Sequence, residues 1–342
     1  MGLDLKPLIN PSFIKLRDLS NRAIAVDAFN TMYQFLATIR GPTGELLSNS
    51  KGEVSSHLSG LFYRNVNLLS DNIKLVYVFD GKPSYLKFRE IERRQQAKEV
   101  ATEKFKDALE KGRFEDARKF GQATSVLTEK MVEESKILLS YLGIPTIQAI
   151  SEGEATAAYL TNTDQVYACA SQDYDSILFG AKRLTRNLTI SGKRKVPNKN
   201  AYIDIVPEMF LFEDILSQMK LTKAQLIDVG ILIGTDFNPG GIRGIGPKTA
   251  LKLIQKYSKL EEIKNIEKEL AQIPYREIRD LFLQPEISTL PDLEFTAVNY
   301  DKVVGFLCDR MNFSLDRVNG SLEKLKASID NRNQSLEQWF KD

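Results

Sequence analysis

Residues 151–176 read SEGEATAAYLTNTDQVYACASQDYDS and pattern as a short helix followed by an apolar strand, with acidic residues at both ends. Glu152 and Glu154 fall where a helix begins, a position whose free N–H groups and positive dipole end favour carboxylates. Asp173 and Asp175 follow the strand, and side chains two apart point the same way if the backbone stays extended. Four carboxylates brought together repel one another unless cations neutralise them. The stretch therefore predicts a metal centre built on a helix–strand unit.

Two further apolar strands end in an acid, at residues 22–27 (RAIAVD) and 74–80 (KLVYVFD). Helical patterns follow each, and the alternation indicates an α/β fold with a mainly parallel, twisted sheet flanked by helices. In such sheets the ligand site lies beyond the carboxyl ends of the strands. We therefore expect Asp27, Asp80 and Asp173 to meet in one crevice.

The rest of the chain alternates in a similar way. Residues 144–147, 184–190 and 201–205 read as strands, 128–142 as a helix, and the pattern is helical from Pro207 onward. Residues 85–119 are highly charged and read as a polar helical excursion, broken near Gly112, that stands off the core.

A glycine-rich segment, GGIRGIGPK at residues 240–248, follows an apolar run that ends near Asp236. It reads as a hairpin opening a helix, with Pro247 in the first turn. Its backbone N–H groups, with Lys248 and Lys252 nearby, suit a phosphate. Pro247 interrupts the Gly-Lys pair that a P-loop requires. The alternative is a glycine-rich turn between packed helices.

The composition excludes several chemistries. Among 342 residues there are one histidine, His57, and two cysteines. Zinc sites and Ser-His or Cys-His catalysis draw on these residue types, so a structural or substrate-contacting role is expected for His57. A hard-cation site with oxygen ligands remains available. The few cysteines and the lack of a signal-peptide or transmembrane pattern indicate an intracellular protein with no membrane contact.

The net charge is only +2, but basic residues are concentrated locally. Residues 82–106 carry eight Lys and Arg against four Glu, and residues 182–199 and 243–256 carry no acid at all. Basic patches around an acidic centre suit a polyanion that must reach metal ions.

The acids at predicted element ends form one set of metal-ligand candidates: Asp27, Asp80, Glu152, Glu154, Asp173, Asp175 and Asp236. Such a set without His or Cys suits two Mg²⁺ ions about 4 Å apart, which clamp the attacking and leaving oxygens of a phosphodiester. A metal lowers the pKa of bound water, so no protein general base is needed.

These segments resemble the motifs of flap endonucleases, the XPG-type family of structure-specific 5′ nucleases. The matching stretches are VFDGKP at 78–83, SEGEA at 151–155, DYD at 173–175 and IRGIGPK at 242–248. The similarity runs in the same order along essentially the whole chain, which resembles the shorter archaeal form. It implies a PIN-like 5′-nuclease fold with a helical arch and a helix–two-turn–helix element.

The resemblance also implies roles at the metal centre. Asp80, Glu152 and Glu154 would hold one Mg²⁺, and Glu154, Asp173 and Asp175 the other, with Mn²⁺ able to substitute. Asp27 and Asp236 would act largely through metal-bound water. Lys87 and Arg94 would stabilise the charge of the scissile phosphate.

For DNA, the resemblance implies that Tyr33 stacks on a base beside the cleavage point and that Arg40 contacts DNA near it. The glycine-rich segment would hold a K⁺ ion against a duplex phosphate. The remaining DNA contacts that it implies are Gly2, Ser55, Arg64, Lys87, Arg94, Glu152, Gly234, Asp236, Arg243, Gly244, Gly246 and Lys248.

The C-terminal tail, residues 329–342, looks disordered until its last apolar residues. Leu336, Trp339 and Phe340 would share one face of a helical turn, as in a peptide that docks in a partner's groove. The resemblance implies a sliding-clamp peptide, with Asn333 where Gln is usual. The alternative is a tail that packs on its own domain.

The resulting organisation is a nuclease domain in two parts, residues 1–98 and 116–258, interrupted by the arch at 82–125. The helix–two-turn–helix element spans about 223–258, C-terminal helices follow at 259–328, and the tail closes the chain at 329–342. The protein is expected to be a monomer on its own.

The functional hypothesis is a Mg²⁺-dependent flap endonuclease with 5′–3′ exonuclease activity that leaves 5′-phosphates, acting in Okazaki-fragment maturation and repair. The alternatives are another XPG-type nuclease, such as a Holliday-junction or bubble cutter, and a non-catalytic clamp-bound DNA-binding scaffold. The scaffold would not need all the acids, and here every one is present.

Overall fold

The computed structural model describes residues 3–190, 193–195, 202–288 and 292–339, with the backbone alone at 193–195, 202–203 and 333–339. The strands are β1 Ser12–Phe13, β2 Ala23–Asp27, β3 Lys74–Phe79, β4 Thr146–Gln148, β5 Ala168–Ala170, β6 Arg183–Arg186, β7 Lys193–Lys195, β8 Tyr202–Asp204 and β9 Glu208–Leu211.

The α-helices are α1 Ala28–Thr38, α2 Ser56–Ser70, α3 Phe88–Glu110, α4 Phe114–Gly121, α5 Glu129–Tyr141, α6 Gly153–Asn162, α7 Asp175–Leu178, α8 Phe212–Met219, α9 Lys223–Ile233, α10 Pro247–Tyr257, α11 Glu267–Leu270, α12 Tyr275–Leu283, α13 Tyr300–Val304 and α14 Leu315–Trp339. Short 3₁₀ turns lie at Leu16–Leu19, Tyr85–Lys87, Gln122–Thr124 and Leu260–Glu262, and a π-helical turn at Gly305–Arg310.

Seven strands form one sheet in the order β1-β9-β6-β5-β2-β3-β4, and β7 and β8 pair separately. The five strands from β6 to β4 are parallel, with Val26 of β2 opposite Ala170 of β5 and Asp27 opposite Val78 of β3. The chain fills the sheet outward from β2 in one direction and from β5 in the other. The strand order therefore reverses between β2 and β5, where ligands bind in open α/β sheets. The predicted α/β fold is confirmed.

Alternating side chains of the central strands bury opposite faces of the sheet, as a parallel sheet covered on both sides requires. Ala25, Val76 and Val78 pack in a cluster with side chains of α6, α7, α9, α10 and α12. Ile24 and Tyr77 pack on the other face with side chains of α1, α2, α5 and α14. The two layers fix the strands from both sides and so hold their carboxyl ends at one edge.

The prediction of helix from Pro207 onward is wrong for residues 207–211, because Glu208–Leu211 form β9 before α8 begins. β9 lies antiparallel to β6, with Phe210 opposite Leu184 and Met209 opposite Thr185. The strand covers backbone groups on the outer side of β6 that would otherwise be unpaired, a long-range pairing that overrides local pattern. β6 itself is shorter than predicted and ends at Arg186, before Asn187 adopts a φ of 61°.

The charged excursion consists of α3 and α4, which pack against each other and are joined through Gly112 at a φ of 66°. Glycine adopts this left-handed conformation at little cost because it lacks a Cβ. Only Glu90, Ala101 and Ala108 of α3 are buried, so most of this 23-residue helix faces solvent. The predicted break at Gly112 is confirmed.

The C-terminal helix α14 buries Val318, Leu322 and Leu325 against the cluster that contains α2. Its backbone continues as one helix through Trp339, where the sequence pattern predicted an irregular segment from residue 329. Anchoring of its first turns removes the cost of helix nucleation, and propagation then extends the helix. Within the described part of the chain, none of the helices combines the length and apolar character needed to cross a membrane.

Candidate active site

Two of the predicted acids end neighbouring strands. Asp27 closes β2 and caps α1, where its Oδ1 accepts a hydrogen bond from the Asn30 N–H at 3.0 Å. Asp80 follows β3, and its Oδ1 accepts from the N–H of Gly153 at 2.7 Å. Gly81 lets the chain turn closely here, because a Cβ at this position would lie 2.1 Å from the Ile150 carbonyl oxygen. The parallel sheet thus holds both carboxylates at its carboxyl edge.

Glu152 and Glu154 begin α6 as predicted, with Glu152 at the N-cap position and Glu154 in the first turn. The Glu152 side chain does not cap the helix; its Oε2 accepts from Nζ of Lys87. The short helix is anchored in the core by Ala155, Ala158 and Leu160. Its N-terminus therefore presents both glutamates beside Asp80.

The expectation of an extended backbone from Asp173 to Asp175 is wrong. Residues 172–174 bend, and Asp175 starts α7. The bend is stabilised because the Asp173 N–H donates to Ser171 Oγ at 3.2 Å. Tyr174 packs edge-on against Phe210 with centroids 5.5 Å apart, on the buried side. Both aspartates still reach the same cavity.

One cavity of about 630 Å³ is lined by all seven acids, which come from segments as distant in sequence as β2 and the loop after α9. The seven are Asp27, Asp80, Glu152, Glu154, Asp173, Asp175 and Asp236. Asn30, Tyr33 and the first turns of α3 complete the lining. The acids that the sequence placed at element ends thus share one site.

Lys87 and Arg94 face these acids from the base of α3. Lys87 Nζ donates to Glu152 and lies 3.7 Å from Asp236 Oδ2. The Arg94 NH2 group donates to both oxygens of Asp236 at 2.8 Å. Burial opposes the charged form of both cations, but the facing carboxylates outweigh it and raise the pKa of each. Two permanent positive charges therefore lie over the acidic floor.

Burial is the main reason why the carboxyl pKa values are raised in this site. It acts with the Asp80 and Asp173 charges to raise the pKa of Asp27 to about 8. Burial, Asp236 and Asp173 raise the pKa of Asp175 to about 7. The pKa values of Asp80, Glu154 and Asp173 are raised in the same way. The lining holds seven acids and four basic side chains, Lys87, Arg93, Arg94 and Lys98, so the acids outnumber the bases and repel one another.

The donor set fits hard divalent cations. All seven candidate side chains offer carboxylate oxygens, the ligands that Mg²⁺ and Mn²⁺ prefer, and no His or Cys side chain lines the cavity. Among the described residues, no three His, Cys, Asp or Glu side chains form a ready-made cage for one ion. The carboxylates therefore surround the cavity as individual ligands. This arrangement suits Mg²⁺, which proteins usually hold through a few carboxylates together with water.

Three polar residues of this site were missed from the sequence. Asn30 Nδ2 donates to Asp173 Oδ2 at 2.8 Å. Ser171 Oγ lies 3.2 Å from oxygens of both Asp27 and Glu154. Glu90 is buried and accepts from Arg93 and from Arg94 Nε at 2.7 Å. The position of Asn30, three residues beyond a strand-ending acid, was the one available signal.

The residues expected to contact DNA near the site fall in different places. Tyr33 lines the cavity, with Lys98 Nζ 5.0 Å from its ring centroid. Arg40 donates within the protein to Leu36, Gly44 and Ser125, and burial lowers its pKa.

Ser55 is buried, and the buried Arg64 donates to the carbonyl oxygens of Leu188 and Ile190. His57 is fully buried 3.6 Å from Glu134, and burial lowers its pKa to about 4, so it is a core residue that does not reach substrate.

The glycine-rich segment forms the turn between α9 and α10, which pack on each other. Gly234, Gly240, Gly241 and Gly244 all have positive φ angles, and a Cβ at Gly241 would lie 2.3 Å from the Leu232 carbonyl oxygen. Gly246 caps α10, Pro247 occupies its first turn, and Arg243, Gly244, Gly246 and Lys248 are exposed. The segment is thus a turn between packed helices and also presents an exposed basic surface.

Some of the predicted basic side chains form contacts within the protein, and some of the predicted site residues lie outside the described part of the chain. In the second basic run, Lys182 pairs with Asp164 at 2.7 Å, and Arg186 donates to the Gln172 carbonyl oxygen at 3.0 Å. Gly2 and Phe340 lie outside the described residues, as do the side chains of Asn333, Leu336 and Trp339.

Two family profiles match the chain, one for the XPG N-terminal domain at residues 1–101 and one for the XPG I-region at residues 143–236. Between them they contain every acid of the cavity, together with Lys87 and Arg94. The fold and the site thus define a nuclease of the XPG class.

Relatives make the assignment narrower. The chain is 57% identical over 340 residues to flap endonuclease 1 of Nitrosopumilus maritimus, covering 99% of this chain and 100% of that one. It is 48% identical over 342 residues to flap endonuclease 1 of Pyrococcus furiosus, covering both chains fully. The chain belongs to the flap endonuclease family.

Solved structures agree with this assignment. Flap endonuclease-1 from Methanococcus jannaschii superposes with a TM-score of 0.74 at 36% identity and covers 97% of this chain and 100% of that one. The catalytic core of Rad2 in complex with DNA substrate has a TM-score of 0.70 at 24% identity, covering 95% of this chain and 100% of that one. At that identity the likeness to Rad2 concerns the fold alone.

Proposed function

We propose that this flap endonuclease cuts the phosphodiester near the junction of a single-stranded 5′ flap with duplex DNA, in a reaction that depends on Mg²⁺ or Mn²⁺. The observation that carries the proposal is one cavity that has seven carboxylates on its floor and Lys87 and Arg94 above them. A phosphodiester that enters together with divalent cations would pair with Lys87 and Arg94 while the cations neutralise the carboxylates.

Two divalent ions held by Asp80, Glu152, Glu154, Asp173 and Asp175 would supply an activated water and neutralise charge on the phosphate. Asp27 and Asp236 support the site from its margins, where Asp236 also orients Arg94. Lys87 and Arg94 exchange their carboxylate partners for the scissile phosphate and stabilise the charge that develops on it. Product strands then carry 5′-phosphates, and repeated action at an end is 5′–3′ exonuclease activity.

Substrate choice belongs to the surfaces around the cavity. The α3–α4 excursion is proposed as the arch for the single-stranded flap, with Tyr33 stacking on a base beside the cut. The exposed Arg243 and Lys248, with the N–H groups of Gly244 and Gly246, are proposed to contact duplex phosphates, with a K⁺ ion held by the same turn. Arg40, Ser55 and Arg64 would act there by shaping the binding surface, because Ser55 and Arg64 are buried and Arg40 donates hydrogen bonds within the protein.

The wider setting is also part of the proposal. Residues Asn333 to Phe340 dock on a sliding clamp, which couples cutting to replication and repair, and the protein is a monomer on its own. Two free cysteines, Cys169 and Cys308, suit an intracellular location.

The proposal is tested by titrating Mg²⁺ with labelled double-flap, fork and four-way-junction DNA and mapping the cut. We expect one cut at the flap base of the double flap. Asp175→Asn should abolish cutting and leave flap binding largely intact, because it removes a metal ligand; Asp316→Asn, at an exposed position on α14, is the matched control.

If the protein cuts the four-way junction in preference to the double flap, the junction-resolving hypothesis would replace the flap-cutting hypothesis. Tight flap binding without cleavage at any Mg²⁺ concentration would favour the scaffold.

A further inference from the structure

Asn30 holds a central position in the site although it has no charge. It lies in the first turn of α1, half-buried, on the wall of the cavity. Its backbone N–H donates to Asp27 Oδ1 at 3.0 Å, and its side-chain Nδ2 donates to Asp173 Oδ2 at 2.8 Å. One residue thus contacts two carboxylates that come from different strands.

The orientation of the Asn30 amide is determined by its neighbours. Its Oδ1 accepts from the backbone N–H of Gln172 at 3.2 Å, while its Nδ2 faces a carboxylate that can only accept. A reversed amide would place an oxygen against Asp173 and a donor against the Gln172 N–H. The amide is therefore held from both sides, and its Nδ2 in turn orients the carboxylate of Asp173.

Asp173 depends on such a contact because the backbone around it is bent and not part of β5. Its N–H donates to Ser171 Oγ, and the Asn30 amide fixes its carboxylate. The contact spans the seam between β2 and β5, where the strand order reverses. At this seam Asp27 ends β2 whereas Asp173 lies in the bend after β5, so their relative placement requires a group that bridges them.

From these contacts we infer that Asn30 is a positioning residue, which aligns Asp173 with Asp27 for divalent cations without binding the ions itself. The inference rests on the proposed function of the cavity as a metal site. Removal of a group that orients a metal ligand typically lowers the metal affinity about 10- to 100-fold.

The test measures Mn²⁺ binding to the full-length protein by calorimetry, without DNA. Asn30→Leu keeps similar bulk and removes the amide, and Asn30→Ala removes both; each retains the backbone N–H contact with Asp27. We expect Mn²⁺ affinity to fall about 10- to 100-fold in both variants. Asn67→Leu, at an exposed position on α2, is the matched control and should leave the affinity unchanged.

Cleavage supplies a second readout. The Asn30 variants should need about 10- to 100-fold more Mg²⁺ for half-maximal rate and approach the wild-type rate when Mg²⁺ is raised. A merely structural role would lower the thermal midpoint and leave the metal dependence where it is.

Mn²⁺ affinity within threefold of wild type in both Asn30 variants would overturn the inference and leave the proposed function standing. Failure of the wild-type protein itself to bind Mn²⁺ would instead count against the proposed function.

Discussion

Single charged residues determine what the cavity can bind. Lys87 pairs with Glu152 and Arg94 with Asp236, so each cation already has a carboxylate partner before any phosphate arrives. Glu90 holds Arg94 from the other side. These pairs orient Lys87 and Arg94, and an incoming phosphate must compete with Glu152 and Asp236 for them.

Lys87→Ala should slow single-turnover cleavage of a flap by roughly a hundredfold or more, because it removes a charge that stabilises the transition state. Quenched-flow measurement at saturating enzyme gives this rate. Lys326→Ala, at an exposed position on α14, serves as the control. An unchanged rate in the Lys87 variant would remove this residue from the reaction.

The raised pKa values predict how the metal-free protein responds to pH. Asp27 and Asp175, at about 8 and 7, hold protons that the unfolded chain releases near 4. Between those values the folded state binds more protons than the unfolded state, so its stability falls as pH rises from about 4 to 8. Cations that replace the protons should oppose that loss.

Thermal unfolding at pH 6 and pH 8, with and without Mg²⁺, measures this effect. Stabilisation by Mg²⁺ should be larger at pH 8, where fewer protons must be displaced, and smaller in Asp175→Asn. Equal stabilisation by Mg²⁺ at the two pH values would contradict the proposed competition between protons and cations.

At the scale of elements, the turn between α9 and α10 combines close packing with an exposed basic tip. Its glycines allow close packing against the core, while Arg243 and Lys248 remain exposed at the tip. Because Asp236 is the only one of the seven acids in this connection, and Arg243 and Lys248 do not line the cavity, binding to the duplex and binding of metal should be separable. The α3–α4 excursion, which we propose as the arch, differs, since its base carries Lys87 and Arg94 into the cavity.

Arg243→Ala and Lys248→Ala should each weaken duplex binding at low salt and reduce the slope of log K against log salt by about 1, as expected for a lost phosphate contact. Mn²⁺ affinity without DNA should stay at the wild-type value. Fluorescence anisotropy across a salt series gives the slope, with Lys268→Ala on α11 as the control. A slope equal to that of wild type in both variants would show that the turn makes no phosphate contact.

For the whole molecule, the sheet is the common scaffold of the site and its surroundings. Strand order brings β2, β3 and β5 side by side, although residues 28–73 and 80–167 intervene between them. α14 packs on α2 behind the sheet and extends from the core as one helix through Trp339. Any partner bound at the end of α14 is therefore joined to the nuclease through helical backbone.

Deletion of residues 333–340 should leave cleavage of a free flap oligonucleotide unchanged and abolish stimulation by a sliding clamp, because the removed residues lie beyond the buried turns of α14. Cleavage rates with and without clamp measure the effect, and substitution of Glu323, exposed on the same helix, is the control. Equal stimulation of the deleted and intact proteins would refute the tail hypothesis.

The sequence by itself determined the α/β class, the seven acids, the two cations on α3 and the family. The fold class and the acids rest on local signals, an apolar run that ends in an acid or an acid at a helix start, whereas Lys87, Arg94 and the family rest on the resemblance to flap-endonuclease motifs. Since parallel strands end at one edge of a sheet, the sequence predicts that Asp27, Asp80 and Asp173 meet in one crevice.

Only the tertiary structure revealed β9 on the edge of β6, the bend before Asp175, and the contacts of Asn30, Ser171 and Glu90. It also placed Arg40 and Arg64 in contacts within the protein. The physical reason is the same in each case. These features are hydrogen bonds or strand pairs between residues that local periodicity treats separately, and their geometry is decided when the layers of the sheet and helices pack.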